Sequence, residues 1–376
     1  MAIAGGNITL DPTEGMDKIT QTEKVTSPYF SDGTVTLGGD NLKSASLTDT
    51  NEDYFFGIAH NDTLTTEEFN VAFGSTNGHG GAKDDTKSKT EAIYKQYANL
   101  LLAPTEVTGG FHISNQGSAG VLTTAGTKDT EIFVLTARRS NMKDRLNKGT
   151  FTIALSGSTS DAGKLDEFLG TGSAILKLTD DSKTTDPTAT PVGDRFNIVS
   201  GALGTVHNAA TSHSFGFFYP DQGIVVLSAA ELSASIPGRE VGSDDTVVFA
   251  SASQDGFGFI TSSGTNTNQA LRMVNCLRAG GSANTGLTFR DEEDQVSAQY
   301  FCRIKSGQMN FSNNPTFVSG SLNELRQSTM KGNPTTFITA VQLYNAAGDM
   351  VAVGNLSTPL KKNFSSEATI KVKLTY

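Results

Sequence analysis

The residues best equipped for chemistry are five histidines, two cysteines, several carboxylate pairs and one basic run. His60, His79, His112, His207 and His213 could ligate a metal or act as bases if they converged. No two of them stand four residues apart on a helical pattern, the spacing that brings two imidazoles to one face. Asp84-Asp85, Asp180-Asp181, Asp244-Asp245 and the run Asp291-Glu292-Glu293-Asp294 supply paired carboxylates. Glycoside hydrolysis needs two such groups held at a set separation in a cleft, and a calcium loop needs acidic residues at alternate positions around a glycine. None of these runs has that spacing, and they are expected to be solvated loop charge. The phosphate-cradling G-x-x-x-x-G-K-[ST], the zinc-binding H-E-x-x-H and the nucleophile-bearing G-x-S-x-G do not occur. The glycine-rich "GSTNGHGGAK" lacks the P-loop spacing. The expectation is a chain that is not an enzyme, with no catalytic residue, no metal and no cofactor.

The basic run Arg138, Arg139, Lys143, Arg145 and Lys148 lies in "ARRSNMKDRLNKG". A helix capped by Ser140 and stopped at Gly149 is expected there. Such a face could meet an acidic partner, a phosphate or DNA, or it could be a charged helix surface paired locally with Asp144. These five residues are the first candidate interface. Cys276 and Cys302 sit in dissimilar contexts and are expected as buried, unpaired thiols.

Composition narrows the partners. The formal charge is -10 and the pI is near 5.0, which disfavours broad contact with a phosphate backbone; nucleic acid is not an expected partner. Only 36% of residues are hydrophobic, and mean hydropathy is -0.24. No window approaches the roughly 20 apolar residues needed to cross a bilayer, so no membrane association is expected. The opening "MAIAGGNITLDPTEG" has neither a basic nor an apolar signal region. Synthesis in a cytoplasm is the expectation.

The elements that would carry these residues are mostly strands. "EDYFFGIAH", "EEFNVAFGS", "TEIFVLTA", "GTFTIALSG", "GSAILKLTDD" and "RFNIVSGAL" are apolar runs bounded by turn residues. "SFGFFYPDQGIVVLS" is a hairpin turning at Pro220-Asp221-Gln222-Gly223. Helices are expected at "SKTEAIYKQYANLLL", where Ser88 and Glu91 have capping-box spacing, and at "NQALRMVNCLRAGG", with a further turn or two at "SAAELSAS". Late in the chain, "DQVSAQYFCRIKSG" alternates, and "FITAVQLYNAAGDMVAVGNLS" is a hairpin around Asn345–Asp349. "FITAVQLY" is apolar on both sides of its alternation, which predicts a central strand covered on both faces. The closing "EATIKVKLTY" alternates Ala368, Ile370, Val372, Leu374 and Tyr376 with polar residues, and is expected on the outside of that same sheet, beside the hairpin. Ile370, Val372, Leu374 and Tyr376 form the second candidate interface, because a last strand can also extend a neighbour's sheet edge.

The fold class is therefore mainly β with a few inserted helices, as a β-sandwich-like arrangement or layered antiparallel sheets. Three regions are expected: an N-terminal arm or edge hairpin over 1–50, a β-rich body over 51–290 with a candidate division near 180–192, and a C-terminal antiparallel sheet over 291–376.

The stretch "MNFSNNPTF" (309–317) followed by "FITAVQLYNAAGDMVAVGNLSTPLKKNFSSEATIKVKLTY" (337–376) resembles the C-terminal region of virion structural proteins from marine, cyanophage-like phages with contractile tails. "LTDDS" (178–182), "RFNIVSGAL" (195–203) and "FGFFYPDQGIVVLS" (215–228) resemble further blocks of the same proteins. Together the blocks lie within 178–376, about half the chain, and the N-terminal third has no counterpart in them. The resemblance implies a structural part of the virion, in the tail or baseplate region, that works by packing against other virion subunits as a homo-oligomer in a symmetric assembly. Neck and capsid-surface positions fit the same resemblance. From the residues alone, a host-surface or glycan-binding adhesin module is the alternative.

Overall fold

A computed structural model describes residues 8–11, 13, 15–38, 41–46, 55–60, 66–78, 89–107, 110–113, 128–157, 174–207, 214–232, 269–284, 286–310, 316–319 and 324–376. The first strands are β1 (Lys18–Pro28), β2 (Thr36–Leu37), β3 (Lys43–Ser46), β4 (Phe55–Ala59) and β5 (Glu67–Ser75). After helix α1 (Lys89–Leu101) come β6 (Glu131–Ala137), β7 (Arg145–Leu146), β8 (Thr152–Gly157) and β9 (Ala174–Asp180). The middle of the chain gives β10 (Thr188–Thr190), β11 (Gly193–Ala202), β12 (Thr205–Val206), β13 (Gly216–Tyr219) and β14 (Ile224–Ser228). Helix α2 (Gln269–Asn284) then precedes β15 (Leu287–Thr288) and the long β16 (Arg290–Ile304). The last elements are β17 (Val318–Ser319), β18 (Glu324–Leu325), β19 (Thr336–Tyr344), β20 (Met350–Lys362) and β21 (Ala368–Thr375).

The protein is mainly β, built of antiparallel sheets with two inserted α-helices among the described residues. It divides into two compact units, one of residues 25–293 and one combining residues 1–24 with 294–376.

The larger unit is organised by one sheet ordered β2-β15-β8-β9-β11-β13-β14-β6-β5-β4-β3, with β10 and β12 flanking β11. Its central strands have two dry faces, as continuous apolar runs require. On β5 and β6, Phe69, Val71, Phe73, Phe133 and Leu135 enter one cluster, while Ala72, Ile132 and Val134 enter another. Helix α2 supplies Ala270, Met273, Val274 and Leu277 to the first cluster, and α1 covers the second with Ile93, Tyr94, Tyr97 and Leu101. The α1 contact needs a residue without a side chain beneath it. A Cβ on Gly74 would lie 3.0 Å from the Tyr94 backbone, so glycine sets how closely the helix can approach.

That sheet does not lie flat. Phe289, directly after β15, packs on Phe69 of β5 with ring centroids 4.9 Å apart and stacks on Phe151 at 5.1 Å. Phe151 in turn packs on Phe218 at 4.7 Å. The sheet is curled, and phenylalanines from distant strands fill its concave side.

In the smaller unit β16 is flanked by β1 and β21. Cys302, Ile304 and Ile370 pack with Ile338, Val341, Leu343 and Leu356, which line the inner face of the β19–β20 hairpin. At its end, the buried Lys362 ammonium donates 2.9 Å hydrogen bonds to the Ser306 and Asn363 carbonyls and to Asn310 Oδ1. These bonds satisfy a charge that burial would otherwise penalise heavily.

Three expectations are corrected. "SNMKDRLNKG" is not a helix; it is a turn followed by β7. Its backbone is drawn into tertiary hydrogen bonds, Leu146 N–H to the Pro220 carbonyl and Asn147 N–H to the Arg290 carbonyl, which outweigh a modest helical preference. "FITAVQLY" is not a doubly covered central strand, because among the described residues β19 and β20 pair only with each other. The final strand does not join that hairpin either: β21 pairs with β16 over eight residues, from Ser297↔Thr375 to Ile304↔Ala368. The polar stretch 181–192 connects β9 to β11, which pair directly with each other. Of "SAAELSAS", residues 229–231 form a turn; residues 233–235, like Ser88, lie outside the described residues.

Candidate functional site

The basic run is drawn into the fold by the acidic run 147 positions later. Arg145 Nε lies 2.9 Å from Glu292 Oε1, and Asn147 Nδ2 donates to the other oxygen at 2.5 Å. Glu292 is buried, so these donors satisfy a carboxylate that has left water. The β7–β16 register sets this up by placing Arg145 opposite Glu292 and Leu146 opposite Asp291. Lys143 Nζ pairs with Glu293 at 2.9 Å. Arg139 donates to the Asp144 carbonyl at 3.0 Å and Arg138 to the Glu67 carbonyl at 3.4 Å. Lys148 sits 4.9 Å over the Phe196 ring, a cation–π contact. All five cations thus have partners inside the chain.

The acidic pairs are corrected in the same way, because those within the described residues are not solvated loops. Asp180 is buried and accepts the Gly149 N–H at 2.8 Å. Asp181 accepts the backbone and side-chain N–H groups of Asn197 at 3.0 and 2.9 Å. Burial pushes the Asp291 carboxyl up to about 7, against the pull of Lys143 and Arg139. A cluster not singled out from sequence forms around Asp129, which accepts the Ile113 N–H at 2.7 Å and the Ser228 hydroxyl. Burial raises Asp129 to about 6, and the nearby Glu231 and Glu131 add to the rise. Asp84-Asp85 and Asp244-Asp245 lie outside the described residues.

His60 pairs with Asp32 at 2.8 Å. His79 and His213 lie outside the described residues. Among the described residues no group of three metal-ligating side chains comes together. Cys276 and Cys302 are buried and unpaired, as expected.

The second candidate interface divides along its alternation. Ile370 is buried against Cys302, Val372 and Leu374 are half-buried, and Tyr376 is exposed. Beyond β21 the sheet has no further strand among the described residues. Lys371 and Lys373 stand exposed on this edge strand, where charge discourages unwanted pairing.

The hairpin β19–β20 exposes what sequence reading had placed in a core. Its outer side carries Phe337 at 60% exposure, Tyr344 at 55%, Val351 at 61% and Val353 at 58%. The register groups three of them near one end, with Tyr344 opposite Met350 and Val353 opposite Gln342. An irregularity between Leu343 and Tyr344 twists the ribbon there and re-aims side chains. Exposed apolar residues grouped in this way mark contact surfaces more often than isolated ones do.

Compared with known proteins, the chain matches no family model, no curated protein and no solved structure.

Proposed function

We propose that this chain is a structural component of a tailed-bacteriophage virion, in the tail or baseplate region, and works by packing against other subunits. The observation that carries the reading is the β19–β20 ribbon, with one face closing a small core and the other offering Phe337, Tyr344, Val351 and Val353 to solvent. A ribbon seated on a sheet by one face is a rigid way to present apolar side chains. The same segment, 337–376, bears the resemblance to virion structural proteins. In this reading the chain transforms no substrate, recruits no cofactor and resides in the particle after synthesis in the host cytoplasm. The test is peptide mass spectrometry of nuclease-treated, density-purified particles from a lysed host culture. Peptides of this chain in constant ratio to the major virion proteins across the gradient are expected. Their presence only in the soluble lysate would sink the reading.

A further inference from the structure

Asp291 has left water without gaining a donor at Oδ1. The residue is 2% exposed and stands opposite the buried Leu146 in the β7–β16 pairing. Its Oδ1 has no hydrogen-bond partner among the described residues. The groups around it are committed elsewhere. Lys143, from the turn before β7, and Glu293, two residues on along β16, both act on Asp291 but hold each other at 2.9 Å. Arg139 acts on it too but donates to the Asp144 carbonyl at 3.0 Å. The Tyr29 hydroxyl, which feels the Asp291 charge, donates to the Glu68 carbonyl and accepts the Arg138 N–H. The Glu68 carboxylate is itself taken up by Ser31 and Asn141. Glu292, on the opposite face of β16, has Arg145 and Asn147 as donors. Asp291 has no such pair, and a carboxylate buried in this way is penalised far more than the neutral acid.

We propose that Asp291 is a proton-controlled latch on the β7–β16 clasp, which holds while the carboxyl is neutral and opens locally once it ionises. The clasp pairs only two residues of each strand, so it can part without unfolding the larger unit. Ionisation has two ways to relieve itself. The new charge draws Lys143 away from Glu293, or it reaches water by parting β7 from β16, and either undoes the contacts that close the clasp. The sign follows from the two environments. The closed site holds the carboxyl up to about 7, whereas in the open form it is hydrated and titrates near 3.9. Opening therefore becomes easier by about tenfold per pH unit between about pH 4 and about pH 7, and levels off above that. The inference does not depend on the virion reading.

Native-state hydrogen exchange of the full chain, read on peptides across 143–149 and 288–296 with intrinsic rates divided out, tests the latch. Exchange there is expected to depend little on urea below the unfolding transition, the mark of a local opening. Protection should fall about tenfold per pH unit from about pH 5 to about pH 7 and then level. Asp291→Asn keeps the shape without the charge and should leave protection flat with pH. Glu293→Gln leaves Lys143 to Asp291, and the levelling should begin at lower pH. Protection in the unsubstituted chain that ignores pH would overturn the proposal, as would an unchanged slope in Asp291→Asn. So would clasp amides that exchange only together with those of β5 and β6. The pH and urea profiles of the unsubstituted chain decide the matter even where a variant fails to fold.

Discussion

Phe69 and Phe289 touch at 4.9 Å between ring centroids, although the strands that carry or adjoin them stand seven places apart in the sheet order. At roughly 4.8 Å per strand, a flat sheet would hold them about 34 Å apart. Their contact measures the curl of the sheet. Removing either ring should therefore weaken the larger unit as a whole.

Phe289→Ala is expected to cost about 3–5 kcal/mol, the range for emptying a well-packed aromatic site. Phe69→Ala should cost a similar amount, and the double variant less than the sum, because the rings share one contact. Urea midpoints of the three variants test this. A loss under about 1 kcal/mol for Phe289→Ala would mean that the curl is held elsewhere.

Arg145→Ala takes the guanidinium away from Oε1 of the buried Glu292, whose other oxygen is held by Asn147. The expected loss is about 3–5 kcal/mol, the cost of stranding one partner of a buried pair. Arg145→Ala with Glu292→Gln should recover part of it. The exposed i,i+4 pair Lys95–Glu91 is the control, and Lys95→Ala should change stability by less than about 0.5 kcal/mol. Equal effects at the two sites would count against the burial argument.

Stability should fall as pH rises from about 4 to about 7. Burial holds Asp129 at about 6 and Asp291 at about 7 in the folded chain, whereas an unfolded aspartate titrates near 3.9. Between those values the folded state binds more protons than the unfolded one, so the slope of unfolding free energy against pH is negative. Burial raises Asp180 and Asp181 in the same direction. Urea midpoints at about pH 5 should exceed those at about pH 7.5, and Asp291→Asn should flatten the profile. A profile that rises through this window would contradict the assignment.

Deleting residues 367–376 removes the strand that covers Cys302 from one side. The Cys302 thiol should then react with an aromatic disulfide reagent within minutes, while Cys276, in the core of the larger unit, stays protected until global unfolding. Peptide mapping of the labelled thiol distinguishes the two. Protection of both would show that β21 contributes little to the smaller unit.

Much of the local architecture was legible from residue order. Alternation in "EATIKVKLTY" located β21, Pro220–Gly223 located the turn between β13 and β14, and the apolar spacing of "NQALRMVNCL" located α2. These features depend on neighbours two to four positions away, where backbone geometry dictates which side chains share a face. Partnership was not legible. "FITAVQLY" has the apolar content of a covered strand, yet it is β5, β6, β13 and β14 that contribute to clusters on both faces, and β19 is left with one face bare. Similarly, the basic run resembled a helix face until β7 set Arg145 against Glu292.

What the sequence by itself determined is where most strands, the two α-helices and the β13–β14 turn fall, though not the turn that carries the basic run, and an overall charge of -10. Tertiary structure alone decided that β21 pairs with β16, that Lys143 and Arg145 of the basic run meet Glu293 and Glu292 of the acidic run, and that the apolar ribbon faces solvent. Each of those outcomes is a competition among distant segments for the same hydrogen bonds and the same dry surface. Such a competition is settled by the burial of the whole chain, which no local pattern records.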